Sequence, residues 1–220
     1  MTDSPSTRTV DRALALLAAV CHSEAPSLTE CARQTGLPAS TALRLLRTLE
    51  NADFVSRDAD GSYRAGTNLV QLGARALSRQ RVVETCRPAM DRIVAATGES
   101  TYLCIHGPGG TALYVAMIEG TFSIRHTSWA GRTGPLADSA VGTVLTGRTP
   151  AAGYVAMRSV IEPDVTAIAA PVLHPGGVVA AISLVGPAYR LDDATIDRFG
   201  RLLADEAART SGVLGVEAHG

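Results

Sequence analysis

The stretch SLTECARQTGLPASTALRLLRTLEN, Ser27 to Asn51, holds two short amphipathic segments hinged on TGLPAS. Ser27 and Glu30 have the spacing of a capping box, so a helix is expected from Ser27 through about Gln34. Gly36 stops it, because a helix end takes a left-handed residue, a conformation that costs glycine nothing sterically. Leu37 and Pro38 make the turn, and the next helix runs from about Ser40 to Asn51. On its wheel Ala42, Leu45, Leu46 and Leu49 share one face. Ser40, Arg44, Arg47, Thr48 and Asn51 gather on the other, with Thr41 at its margin, and no acid precedes Glu50. Arginine can give two hydrogen bonds to one guanine, and serine or threonine can reach phosphates or base edges. A helix of this kind after a tight turn is the element that enters a DNA major groove. The competing reading is a solvated polar face on a structural three-helix unit.

The flanking sequence bears on that choice. Upstream, Ala13, Leu16, Leu17 and Val20 give residues 9–22 one buried helical stripe, with Thr9 as its N-cap. Downstream, FVSRDADGSYRAG reads as a hairpin closed by a two-residue Asp60-Gly61 turn. That register sets Arg57 opposite Arg64. Like charges across a strand pair are unfavourable in isolation, so the pair points to an anion such as the phosphate backbone. From Leu69 to Arg79 the pattern returns to helix, with Leu69, Leu72, Ala76 and Leu77 on one side, and this helix reads as a connector. Helix, helix, turn, helix, hairpin is the outline of a winged helix-turn-helix.

The second half changes character near Val82. One helix runs to Ala96 and ends at Gly98, and three strand-like segments follow at Thr101–His106, Ala112–Met117 and Thr121–Thr127. A glycine-rich loop, WAGRTGPLADSAVG, leads to a short helix near Ala140–Leu145. VTAIAAPVL and VVAAISLVG make a second hairpin through HPGG, and a capped helix from about Asp192 to Val213 buries Ile196, Phe199 and Leu203. Helices flanking an antiparallel sheet make an α+β domain.

Composition bounds the remaining classes. With 220 residues, 46% hydrophobic and 19% charged, the chain is globular, with one or two domains and enough length to bury a core. The formal charge is −1, and all 20 basic residues are arginine; a near-neutral total leaves room for one basic face. The longest apolar run, AIAAPVL, falls far short of the roughly 20 residues that cross a bilayer, and MTDSPSTRTVDR lacks the pattern of a secretion signal, so no membrane partner and a cytoplasmic location are expected. Cys21, Cys31, Cys86 and Cys104 form no CxxC pair and read as small buried hydrophobes, with no metal site. HGPGG at His106–Gly110 is an esterase-like loop beside Cys104, His106 and Ser139, but the GxSxG elbow is missing. Phosphate-loop, dinucleotide and HExxH motifs are missing as well, so no catalytic residue, cofactor or metal is expected, His126 and His174 included.

Taken together, TVDRALALLAAV, the Ser27–Val55 segment, GSYRAGTNLVQLG, IRHTSWAGRTGPLADSAVG, EPDVTAIAAPVLHPGGVVAAISLVGP and RLDDATIDRFGRLL resemble, in order and spacing, the IclR-type bacterial transcriptional regulators. The resemblance implies a winged helix-turn-helix over 1–66, a linker helix over 67–81 and a GAF-like effector domain over 82–220. It also implies a homodimer, often paired into a dimer of dimers, on double-stranded DNA with a pseudo-palindromic operator. DNA contacts then fall to Ser40, Thr41, Arg44, Arg47, Arg57 and Arg64. The family's effector pocket matches Cys104, Met117, Ala140, Val141, Ala167, Ser183 and Val185. Two departures stand out. Some tens of residues of helix that relatives carry are shortened here between about 145 and 153. And where members that bind small 2-oxo acids use a cysteine and two serines, this chain has Ala167, Ser183 and Val185, so a more apolar or aromatic effector is expected. A protein-interaction module with a vestigial ligand domain, or a small-molecule enzyme with an accessory DNA-binding domain, are the rival readings.

Overall fold

The computed structural model of the chain describes residues 7–78, 80–126, 129–160 and 162–217. It divides into two compact units, with the boundary between Leu77 and Ser78.

The first unit is built on three helices, α1 (Arg8–His22), α2 (Leu28–Thr35) and α3 (Ala39–Asn51). Ser27 caps α2 through the full capping box, its side chain accepting from the Glu30 amide and the Glu30 carboxylate accepting from the Ser27 amide. Gly36 closes that helix at φ 64°. Helix α1 starts two residues earlier than the sequence reading, after Thr7 rather than Thr9. Leu16, Val20, Cys31, Ala42, Leu45, Leu46, Val55 and Tyr63 form the core. Of the four cysteines, Cys21 is exposed and the other three are buried; Cys21 lies on α1 beyond the buried stripe.

The wing consists of β1 (Val55–Arg57) and β2 (Tyr63–Ala65), and its register differs from the expected one. Ser56 faces Arg64 and Arg57 faces Tyr63. The turn holds three residues, not two: the Asp58 amide donates to Ser62 O, the Gly61 amide donates to Asp58 O, and Gly61 sits at φ 88°. That is a type I turn followed by a left-handed residue, a common three-residue hairpin closure. The extra residue slides the register by one and removes the Arg57–Arg64 apposition. Helix α4 (Thr67–Ser78) follows; Leu72 and Leu77 on it are 46% and 41% exposed. Arg79, the expected helix end, lies outside the described residues.

The second unit is a six-stranded, wholly antiparallel sheet in the order β5-β4-β3-β8-β7-β6. The strands are β3 (Ser100–Gly107), β4 (Thr111–Ile118), β5 (Thr133–Pro135), β6 (Val155–Arg158), β7 (Val165–His174) and β8 (Gly177–Pro187). Helices α5 (Arg81–Thr97) and α7 (Asp193–Glu217) cover one face, and the short α6 (Ala140–Leu145) packs on the other. Alternation along the strands sorts the residues. Leu103, Ile168, Ala170, Ile182 and Leu184 meet α5 and α7, while Tyr102, Cys104, Ala169, Ala181 and Val185 meet α6. Both faces are buried, which is why the β7 and β8 sequences read as nearly unbroken apolar runs.

The 121–126 segment is not a strand: it is an irregular loop, and Thr127 lies outside the described residues. Its place beside β4 is taken by β5, inside the loop that the glycines had disguised. Strand β6 also escaped the sequence reading. Gly142 is required where α6 meets the preceding loop, since a Cβ there would stand 1.9 Å from Leu136 O.

Candidate functional site

The first candidate surface is the outward face of α3. Ala42, Leu45 and Leu46 are buried against the other helices. Ser40, Arg44, Arg47, Thr48 and Asn51 are exposed and Thr41 is half-buried, as the wheel required. Thr48 Oγ1 donates to Arg44 O at 3.1 Å, so that hydroxyl is occupied by the helix itself. Neither Arg44 nor Arg47 pairs with a carboxylate among the described residues. The wing sets a further arginine close by. The Arg57 guanidinium lies 5.7 Å from the centre of the Tyr63 ring, and its Nε makes a long, 3.4 Å bond to Gly61 O. Burial raises the Tyr63 hydroxyl's pKa, while the charges of both Arg57 and Arg47 act in the opposite direction, so the two cations share one neighbourhood. Arg64 is different: its Nε is 2.5 Å from Asp58 Oδ2, which neutralises much of its charge.

The second candidate is a cavity on the α6 side of the sheet, lined mostly by apolar side chains. Of the expected effector positions, Ala140, Ala167 and Val185 line it. The other four do not. Val141 turns into the α6 core, Cys104 lies beneath the floor at 0% exposure, and Met117 packs half-buried against the same core. Ser183, the one position that keeps a hydroxyl, is fully buried opposite Tyr102, and its Oγ finds no hydrogen-bond partner among the described residues.

In their place the fold brings up residues that no local pattern marked. Tyr114, His126 and Trp129 form one wall, with Met157, Val165 and Glu162 across from it. Backbone bonds hold Trp129 beside β4: Gly131 N donates to Tyr114 O and Tyr114 N to Arg132 O. With Tyr102 below, the rings close a circuit of edge-on contacts, Tyr102–Tyr114 5.6 Å, Tyr114–Trp129 5.2 Å, Trp129–His126 5.2 Å and His126–Tyr102 5.6 Å between centroids. His126 Nδ1 is 2.7 Å from the Tyr102 hydroxyl, and its Nε2 is 3.4 Å from Glu162 Oε2.

A buried ion pair steadies the loop that carries His126. Arg190 binds Glu99 at 2.7 and 2.9 Å, donates to Ile124 O at 2.9 Å and stacks 4.4 Å from the centre of the Phe122 ring. Burial pushes the ionisation of Tyr102 and Tyr114 up, and the Glu162 charge adds to the effect on each.

The residues with nucleophilic chemistry are occupied elsewhere. Burial raises the Cys104 thiol well above its ordinary value. Ser139 Oγ caps α6, accepting from Gly142 N at 2.9 Å and donating to Pro135 O at 2.7 Å. His106 Nε2 rests against Leu145 O at 3.1 Å. Among the described residues no three His, Cys, Asp or Glu side chains gather as metal ligands, and no helix is long and apolar enough to cross a membrane.

Residues 9–59 match the family model of the IclR helix-turn-helix domain, and residues 74–152 match that of the bacterial transcriptional regulator IclR C-terminal region. The chain belongs to the IclR family. Among curated relatives, the HTH-type transcriptional regulator KipR of Bacillus subtilis is 32% identical over 59% of this chain. This chain spans only 51% of KipR's length. The HTH-type transcriptional repressor AllR of Escherichia coli is 29% identical over 88% of this chain and 84% of its own. The same fold recurs in an IclR regulator from Alicyclobacillus acidocaldarius, with TM-score 0.81 and 22% identity over 96% of this chain and all of that one. It recurs too in an IclR homologue from Microbacterium hydrocarbonoxydans complexed with 4-hydroxybenzoate, with TM-score 0.77 and 22% identity over 93% and 99% of the two chains. In this IclR chain the helix-turn-helix is therefore the family's DNA-binding module, and α6, with Tyr114, His126 and Trp129 of the cavity wall, falls within the C-terminal match.

Proposed function

We propose that this IclR-family chain is a cytoplasmic, non-enzymatic regulator that binds a pseudo-palindromic operator as a homodimer and is modulated by a small ligand in the cavity beneath α6. The observation that carries the reading is the outward face of α3, where Arg44 and Arg47 stand beside Ser40 and Thr41 with no carboxylate attached. These four would read the major groove, with Arg57 on an adjacent phosphate and Arg64 in a lesser role. The exposed apolar side chains Val10 and Leu14 of α1 and Val70, Leu72 and Leu77 of α4 are surface that a second copy would cover. A dimer of dimers would place two such pairs on one operator.

The ligand of this reading is larger and more aromatic than a small 2-oxo acid. The Tyr114 and Trp129 walls support it, as does the mostly apolar character of the other described lining residues. Each unpaired acceptor of a bare carboxylate would cost about 1–3 kcal/mol on desolvation. The ligand acts on DNA affinity only as far as it prefers one arrangement of the two winged domains, with α4 as the covalent link.

Fluorescence anisotropy with the DNA upstream of the chain's own reading frame, across a salt series, tests the proposal. About six phosphate contacts would lower affinity by several orders of magnitude between low and moderate salt. Affinity that ignores salt would favour a protein partner instead.

A further inference from the structure

The effector cavity carries a charge pattern that narrows its ligand further. This inference rests on the cavity's being the effector site. Among the described residues, Glu162 is the only lining side chain with a permanent charge. Its carboxylate is 39% exposed, at the mouth of the cavity, and its nearest basic neighbour is His126 at 3.4 Å. That histidine is held between two groups, its Nδ1 2.7 Å from the Tyr102 hydroxyl and its Nε2 3.4 Å from the Glu162 carboxylate, which can only accept.

The arginines around the site are committed elsewhere. Arg125 binds Glu119 and Phe122 O, Arg158 binds Asp193 and Leu191 O, and Arg190 binds Glu99 and Ile124 O. None of them lines the cavity, nor does Arg132. The chain has no lysine at all. An anionic ligand would therefore enter a low-dielectric space next to an acid, with no arginine or lysine among the described lining residues to receive it.

The walls suit the opposite charge. Tyr114 and Trp129 offer electron-rich ring surface, and a cation near such surface is attracted to the ring quadrupole, most strongly for tryptophan. Aromatic walls with one carboxylate at the mouth make an organic-cation site, and the long His126–Glu162 contact leaves that carboxylate ready to accept from an ammonium group. We infer that the cavity takes an amine, a positively charged nitrogen on an aromatic or apolar body, in preference to the corresponding acid.

Trp129 is the chain's only tryptophan, so its fluorescence reports on this cavity alone. The test compares tyramine with its alcohol analogue tyrosol and the acid 4-hydroxyphenylacetate, by isothermal titration calorimetry and by Trp129 emission, on the full chain. Tyramine is expected to bind at least about 10-fold more tightly than the acid, with tyrosol between. In Glu162→Gln, a substitution on the exposed rim, that preference should shrink to within about 2-fold while tyrosol binding holds. Acid binding as tight as amine binding would overturn the inference. So would an amine preference that survives Glu162→Gln, since the charge would then lie elsewhere. Equal binding of all three would overturn the charge preference and leave the aromatic-effector reading intact. Failure of all three to bind, with no change in Trp129 emission, would overturn both.

Discussion

Arg64 faces Ser56 across the wing, and its Nε lies 2.5 Å from Asp58 Oδ2. Arg57, one strand position away from the expected pairing, has among the described residues a ring contact and a long carbonyl contact. The two arginines therefore differ in the charge they can offer to DNA. Arg57→Ala should weaken binding on specific and random DNA alike and lower the salt slope by about 1. Arg64→Ala should do much less to either, because Asp58 already offsets it. Anisotropy across a salt series separates the two, and equal effects would mean that DNA draws Arg64 away from Asp58.

On α3 the expectation is about sequence reading rather than charge alone. Arg47→Ala should cost a specific site about 1–3 kcal/mol more than it costs random DNA. Competition titration with the two DNAs measures the difference. Equal losses would assign Arg47 to phosphate.

In the second unit Glu206 is almost fully buried, with Arg92 Nη2 at 2.7 Å and Arg209 also bonded to it. Burial pushes its pKa up, but the Arg92 hydrogen bonds and charge, aided by Arg209, outweigh that and hold the carboxyl below its ordinary value of 4.5. The folded state thus prefers the ionised form. This contribution is present in full above the ordinary value and fades as pH falls through and below it. Both arginines are more than half exposed, so solvent screens the pair and about 1–2 kcal/mol is expected. Urea unfolding between pH 7 and about pH 3 should show Glu206→Gln less stable at neutral pH, with the gap to the unaltered chain closing in acid.

Gly142 supplies a packing test. With Leu136 O 1.9 Å from the position of a Cβ, Gly142→Ala must push α6 away from its loop or distort the loop. A loss of about 2 kcal/mol or more is expected, read as a lower thermal midpoint. Because Ser139 and Ala140 line the cavity, Trp129 emission should shift as well. Gly147→Ala, just past the C-terminal end of α6, has open space around it but a φ of 74°, and should cost less.

The helix-turn-helix was legible in the sequence because its determinants are local. The Ser27–Glu30 box, the Gly36 stop and the spacing of Ala42, Leu45 and Leu46 act within one or two turns of helix, and the structure keeps each of them. The antiparallel hairpin of β7 and β8 was equally plain, since two β-rich runs meet across Pro175 and Gly176. Where the wing's partners fall was not: one extra residue in the turn changes which side chains face each other, and that depends on Gly61 taking φ 88° rather than on composition.

The cavity lay further out of reach. Tyr114, His126, Trp129 and Glu162 come from a strand and from two separate loops, and nothing in their spacing marks them as neighbours. They meet because β3 and β4 pair, the loop after β4 is anchored by Arg190 and Glu99, and the backbone at Gly131 folds back on Tyr114. The sequence by itself determined the helices, the turn between them and the face that Arg44 and Arg47 share, since short-range sterics and periodicity decide those. Only tertiary structure decided that Cys104 and Ser183 lie beneath the cavity floor rather than on it, and that one carboxylate and a circuit of rings stand where the ligand would enter. Long-range strand pairing fixes such positions, and no window along the chain records it.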